Sequence, residues 1–168
     1  MIQPVIQRGA TILRTPTKPV TDFSDPSFGG LIQDMQDTLI EQDGVGLAAV
    51  QINVAKRIFI IPPEYAPSVR TRSLPLSLLR PLRPTIFVNP IIISLSKELV
   101  LLDEGCLSVR NKFYPTPRAK KVTLQAQNER GKHFTVEAED LLARIFQHET
   151  DHLDGTLFID RIHENLSK

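Results

Sequence analysis

The chain carries a single cysteine, Cys106, among its 168 residues. That excludes an internal disulfide and suits a reducing, cytoplasmic setting of bacterial type. Charge of one sign is also missing: 20 Lys and Arg stand against 19 Asp and Glu, for a formal net charge of +1. No basic excess marks a nucleic-acid surface, and no acidic tail is present. No apolar run approaches the ~20 residues that a membrane helix requires. The opening Met1-Ile2-Gln3-Pro4-Val5-Ile6 lacks the basic-then-apolar order of a signal peptide. What remains is an ordinary globular composition, 41% hydrophobic and 23% charged. Its length fits a single domain over residues 1–168.

Residues 1–23, with Pro4, Pro16 and Pro19, read as an extended segment wrapping the domain. Asp25-Pro26 starts a helix as cap and first residue. Leu31, Met35 and Leu39 give its apolar stripe, and Gly44 is the expected stop. Arg57 to Ile61 reads as a short buried strand. Residues 62–84 hold six of the 13 prolines, with Arg70, Arg72, Arg80 and Arg83, and form a proline-rich loop insertion. Ile86 to Pro90 is a strand ending at a turn, and Leu99 to Leu102 is another. Val122, Leu124 and Ala126 alternate with polar residues, as do Phe134, Val136 and Ala138 beyond an Asn128-to-Gly131 turn, which predicts a half-buried hairpin. Asp140 to Leu153 is a helix closed by Gly155. The fold class is α+β, with antiparallel sheets packed around that last helix.

Gly44-Val45-Gly46-Leu47-Ala48-Ala49-Val50-Gln51 also speaks through what is absent. The third glycine of a dinucleotide fingerprint is missing, and no Gly-Lys-Ser/Thr follows to make a phosphate loop. By itself the stretch is a tight turn into a buried strand.

Gln147-His148-Glu149-Thr150-Asp151-His152 carries the chemistry. Residues four apart share a helix face, so His148 and His152 can grip one metal ion, with Glu149 as general base for a water. Leu141, Ile145, His148 and His152 fall on one stripe, so the histidines continue an apolar face and Leu141 and Ile145 wall a pocket beside the metal. A catalytic site of this type needs a third protein ligand and an open position. The metzincin position for a third histidine holds Phe158, and downstream only Glu164 remains, on a short polar tail. The ligand therefore comes from upstream, and Cys106, just after Glu104-Gly105, is the strongest candidate. His133 and His163 read as solvent-facing. Thiolate and imidazole donors suit zinc, iron(II), nickel or cobalt rather than magnesium or calcium.

With Gly44 to Gln51, Glu104-Gly105-Cys106-Leu107-Ser108 and Gln147 to His152 standing in that order, the chain resembles the peptide deformylases. Val88-Asn89-Pro90, Pro117-Arg118 and Leu157 to Asp160 match as well. The resemblance implies hydrolysis of the N-formyl group from N-formylmethionine on new polypeptides, with release of formate. It implies one divalent metal, physiologically iron(II), on Cys106, His148 and His152, with Glu149 as acid and base. It places the Gln51 side chain and the Leu107 N–H at the oxyanion. It lays the substrate as an added strand along Gly44, Val45 and Gly46, with Glu104 and Gly105 in the same groove and the methionine side chain among Val45, Leu141 and Ile145. Formylmethionyl nascent peptides are the implied partners of a monomer working near the ribosome, without direct contact to nucleic acid or membrane. Arg110 departs from the family pattern, as does Phe113 where some members carry a substrate-contacting arginine. The proline-rich loop is longer than usual. The chain closes soon after Asp160, without the long helix that some members dock on the ribosome.

Overall fold

The computed structural model describes residues 1–65 and 85–166, the side chains of 163–166 excepted. The first helix, α1 (Pro26–Glu41), starts as its sequence dictates: the Asp25 side chain accepts from the Ser27 N–H at 2.8 Å. Its buried stripe is Phe28, Ile32, Met35 and Leu39. The helix ends before the expected Gly44. Asp43 takes the left-handed turn, with φ 49°, because a short polar side chain tolerates that region. Gly44 still takes part in the stop, its N–H donating to the Leu39 carbonyl at 3.4 Å, and it allows close approach: a Cβ there would lie 3.0 Å from Leu107 Cδ1 and 3.1 Å from Leu39 Cδ1.

Strand β1 (Leu47–Ala48) runs into a 3₁₀ turn at Ala49–Ile52, and β2 (Ile58–Ile61) follows. Next come β3 (Thr85–Leu95), β4 (Leu99–Cys106), β5 (Val109–Ala119), β6 (Lys121–Gln127) and β7 (His133–Glu139). A five-stranded antiparallel sheet has the order β1-β2-β3-β6-β7, while β4 and β5 pair separately. The β6–β7 pair is the hairpin that alternation predicts.

Two strands differ from their expected limits. β3 does not end at Pro90. Asn89, at φ 50°, absorbs an irregularity between Val88 and Ile91, and its amide holds the Val20 carbonyl at 2.8 Å and Gln127 Oε1 at 2.7 Å. β5 is not legible as a strand, because Pro115 and Pro117 interrupt its pattern. A two-stranded pair tolerates them opposite Asp103 and Leu101.

Helix α2 (Asp140–Leu153) lies across the sheet, and nearly all residues from Ala143 to Leu153 are buried. Phe146 packs on Phe87 and Phe59, with ring centroids 5.0 and 6.0 Å away. Gly155, at φ 75°, closes the helix where a Cβ would meet the Arg14 carbonyl carbon at 2.8 Å. The expected polar tail is instead α3 (Phe158–Leu166), seated by buried Leu157 and Phe158. The leading segment does wrap the domain: the N–H groups of Ile6, Arg8 and Thr17 each donate at 2.8 Å, to the carbonyls of Gln51, Ser108 and Leu153. A 3₁₀ turn at Pro63–Tyr65 opens the proline-rich loop, and residues 66–84 lie outside the described residues. Among the described residues, no helix is long and apolar enough to cross a membrane.

Candidate metal centre

β4 delivers Cys106 to the face of α2 that carries His148 and His152. One donor atom from each lies within 4.8 Å of the others. Cys106 Sγ is 3.2 Å from His152 Nε2, accepts from the Ser108 N–H at 3.4 Å and meets Gln51 Nε2 at 3.7 Å. Burial opposes charge on the sulfur, but the His152 and His148 imidazoles outweigh it and hold the thiol well below its ordinary range. Burial likewise opposes charge on His148, yet Cys106 and Glu104 hold it well above its ordinary value. A buried site built to keep a thiolate beside two imidazoles fits a soft or borderline divalent cation. His148 supports that fit further: its Nδ1 is fixed by Glu104 Oε1 at 2.6 Å, leaving Nε2 for a ligand.

Glu149 is 2% exposed, and its Oε2 is buried without a hydrogen-bond partner among the described residues. An unsatisfied buried carboxylate oxygen is costly unless a bound group supplies a donor. Burial pushes its carboxyl up to about 7, against the pull of His148 and His152. That value suits a group that must take and return a proton near neutrality. Gly46 seats this carboxylate, because a Cβ on Gly46 would stand 2.5 Å from Glu149 Oε1. The sequence offers no sign of that contact, since 103 positions separate the two residues.

Gln51 is buried in the 3₁₀ turn. Its Oε1 accepts from the Ala48 N–H at 2.8 Å, and Nε2 donates to Ser108 Oγ at 3.2 Å, which aims the amide toward Cys106. A cavity of about 380 Å³ opens beside these groups, lined by Gly44, Val45, Gly46, Leu107, Leu141 and Ile145 among others. Ile145 is buried in its wall, whereas Leu141, expected to face the interior, is 48% exposed and stands at the mouth with Val45. The stripe drifts outward over the first turn of α2 and becomes buried from the second. Phe158, in the position that denies a third histidine, stacks on the His148 ring with centroids 6.2 Å apart. His133 is exposed as expected, and the His163 side chain lies outside the described residues.

Glu104, expected in the substrate groove, borders the cavity and is also tied into a buried network of charges that supports His148. It is 5% exposed, and both oxygens are engaged, by His148 and by the guanidinium groups of Arg118 and Arg144. Burial alone would keep it neutral, but His148 and Arg118 hold it well below the usual carboxylate range. Arg118 continues to Asp151 at 2.5 Å, and Asp151 to Arg161 on α3 at 2.6 Å. Sequence reading misses this chain of charges; the isolated match Pro117-Arg118 is its one trace. Replacing Glu104 by Gln leaves an acceptor for His148 but two buried arginines short of a charge. Metal is expected to dissociate into chelator roughly 10- to 100-fold faster, and a rate equal to the wild type's would remove Glu104 from the support of His148.

Fold and site together define a metal-dependent hydrolase with a candidate donor set of one thiolate and two imidazoles. The polypeptide deformylase family model matches residues 2–168, and the chain belongs to that family. It is a hydrolase that removes the N-formyl group from newly made polypeptides. A peptide deformylase of Acidothermus cellulolyticus is 42% identical over 96% of this chain and 79% of its own length. One of Clostridium botulinum is 40% identical over 91% of each. Among solved structures, a peptide deformylase from Legionella pneumophila superposes with a TM-score of 0.82 at 37% identity, covering 96% of this chain and 86% of its own. One from Acinetobacter baumannii, solved with Met-Ala-Ser bound, gives 0.81 at 33% identity, covering 96% and 98%.

Proposed function

We propose that Cys106, His148 and His152 hold one divalent ion, iron(II) in the cell and replaceable by zinc, nickel or cobalt, and that Glu149 moves the protons of formyl hydrolysis. The observation that carries this reading is the juxtaposition of the three donors with a buried, partnerless Glu149 oxygen at a cavity of side-chain size. A bound divalent ion supplies Lewis acidity, lowering the pKa of a water and polarising the formyl oxygen. Glu149 takes a proton from the attacking water and returns it to the departing amine nitrogen, and formate leaves. The Gln51 amide, locked by Ala48 and Ser108, and the Leu107 N–H donate to the oxygen that becomes negative. Locking matters because a preorganised donor costs no reordering during the reaction.

The methionine side chain enters the cavity along Ile145, with Val45 and Leu141 closing over it. β1 ends the strand order of its sheet, so the Gly44–Gly46 segment leading into it can take the peptide as an added strand. The Acinetobacter relative binds Met-Ala-Ser, the chemistry of a deformylated product, which supports the same use here. The reading places one domain, as a monomer, in the cytoplasm with transient proximity to the ribosome.

Turnover of formyl-Met and acetyl-Met tripeptides tests this. Only the formyl series is expected to react, because the added methyl group must displace Glu149 or Gln51 from a buried site. Hydrolysis of acetyl-Met peptides alone would assign the site to a different amidase.

A further inference from the structure

We infer that Phe113 is a specificity residue, whose exposed ring forms an apolar platform for the third side chain of the formylated peptide and selects apolar residues there. The inference rests on the deformylase reading of the same cleft and goes beyond it.

β4 and β5 lose register beside the metal donors. Glu104 faces Tyr114 and Cys106 faces Val109, so Gly105 alone stands opposite residues 110–113. Asn111, at φ 57°, turns the surplus chain. Bulges of this kind re-aim side chains next to active sites. Here the result is close packing of Phe113 over Gly105: a Cβ at position 105 would lie 2.4 Å from the ring's Cε1 and 2.8 Å from Cδ1. Glycine lets the ring lie against the strand in this position. Tyr114, the next residue, turns the other way, its ring centroid 6.3 Å from that of Phe158. Phe113 thus faces the cavity, sharing its lining with Val45, Leu107 and Ile145.

The ring is nonetheless 70% exposed. A phenyl group so open contributes little to the core, and its seat against the residue preceding Cys106 puts it on the rim of the methionine pocket. Successive side chains of an extended peptide point to opposite faces, and the chain advances about 3.3 Å per residue. With methionine in the cavity, the second side chain points away and the third returns to the same face roughly 7 Å further on. A cavity-facing ring on the rim therefore meets the third residue and not the second.

The test is kcat/KM across formyl-Met-Ala-Xaa amides and formyl-Met-Xaa-Ala amides, with Xaa as Leu, Phe, Ser or Asp. For the wild type, Leu and Phe at the third position are expected to exceed Ser and Asp by roughly 3- to 10-fold, as aromatic–apolar contact permits, mostly through KM. Phe113→Ala should flatten that ratio to within about twofold, and Phe113→Arg should turn the preference toward Asp. The exposure of Phe113 leaves folding of both variants intact. An unchanged third-position ratio in Phe113→Ala, or a preference confined to the second position, would overturn the inference while leaving deformylation standing. Failure of the metal-loaded wild type to turn over any formyl-Met peptide would overturn the deformylase reading itself, and this inference with it.

Discussion

Replacing Glu149 by Gln is expected to lower kcat by about 10³-fold or more, the upper range for a lost general acid–base group, while bound metal stays at the wild-type level. Two observations set that expectation. Glu149 lies between the two histidines in sequence but supplies no donor to the cluster formed with Cys106. Its Oε2 is buried with no hydrogen-bond partner among the described residues, which leaves the carboxylate uncommitted within the fold. Gln preserves the shape against Gly46 and removes only the ability to hold a proton in transit. A KM near the wild-type value would accompany the loss, since uniform binding is untouched. Steady-state kinetics beside metal analysis of the same sample check this. Activity within a few-fold of the wild type would strip Glu149 of its role.

The second large effect concerns Cys106. Cys106→Ala is expected to abolish stable metal retention and with it formate release. In the proposed donor set sulfur is the thiolate ligand, and alanine leaves only two imidazoles to hold a divalent ion. Three groups aim at that sulfur, His152 Nε2 at 3.2 Å, the Ser108 N–H at 3.4 Å and Gln51 Nε2 at 3.7 Å, so its removal also takes one contact from the Gln51 amide. Metal content after desalting reads the first consequence, and full occupancy in the alanine variant would exclude Cys106 from the ligand set. Cys106→Asp separates the two consequences, because a carboxylate restores a charged donor without the sulfur geometry. Partial metal retention with poor turnover is the expected result.

The helix that carries the histidines was legible because its evidence is local. The four-residue spacing of His148 and His152 and the apolar positions before them need only helical geometry. Exclusion singles out Cys106 as the candidate, since Phe158 occupies the place of a downstream ligand; the structure brings its sulfur beside the two histidines and stacks Phe158 on His148. What stayed hidden depends on contacts between distant segments. Glu104 reaches His148 from another strand, Arg118 joins Glu104 to Asp151, and Gly46 makes room for Glu149. None of these leaves a periodic trace, and a buried carboxylate such as Glu104 looks in sequence like any acidic residue of a motif. β5 was hidden for a different reason. Its prolines and its left-handed Asn111 break the alternation that marks a strand, and the same irregularity carries Phe113 over Gly105.

Formate release measured against metal content, in apo-protein titrated anaerobically with iron(II), tests the central claim most directly. Activity on a formyl-Met peptide should rise linearly and stop at one equivalent per chain, while Glu149→Gln takes up the same equivalent and releases formate at least about 10³-fold more slowly. Formate release from the metal-free chain, or activity that climbs beyond one equivalent, would contradict a single ion held by Cys106, His148 and His152.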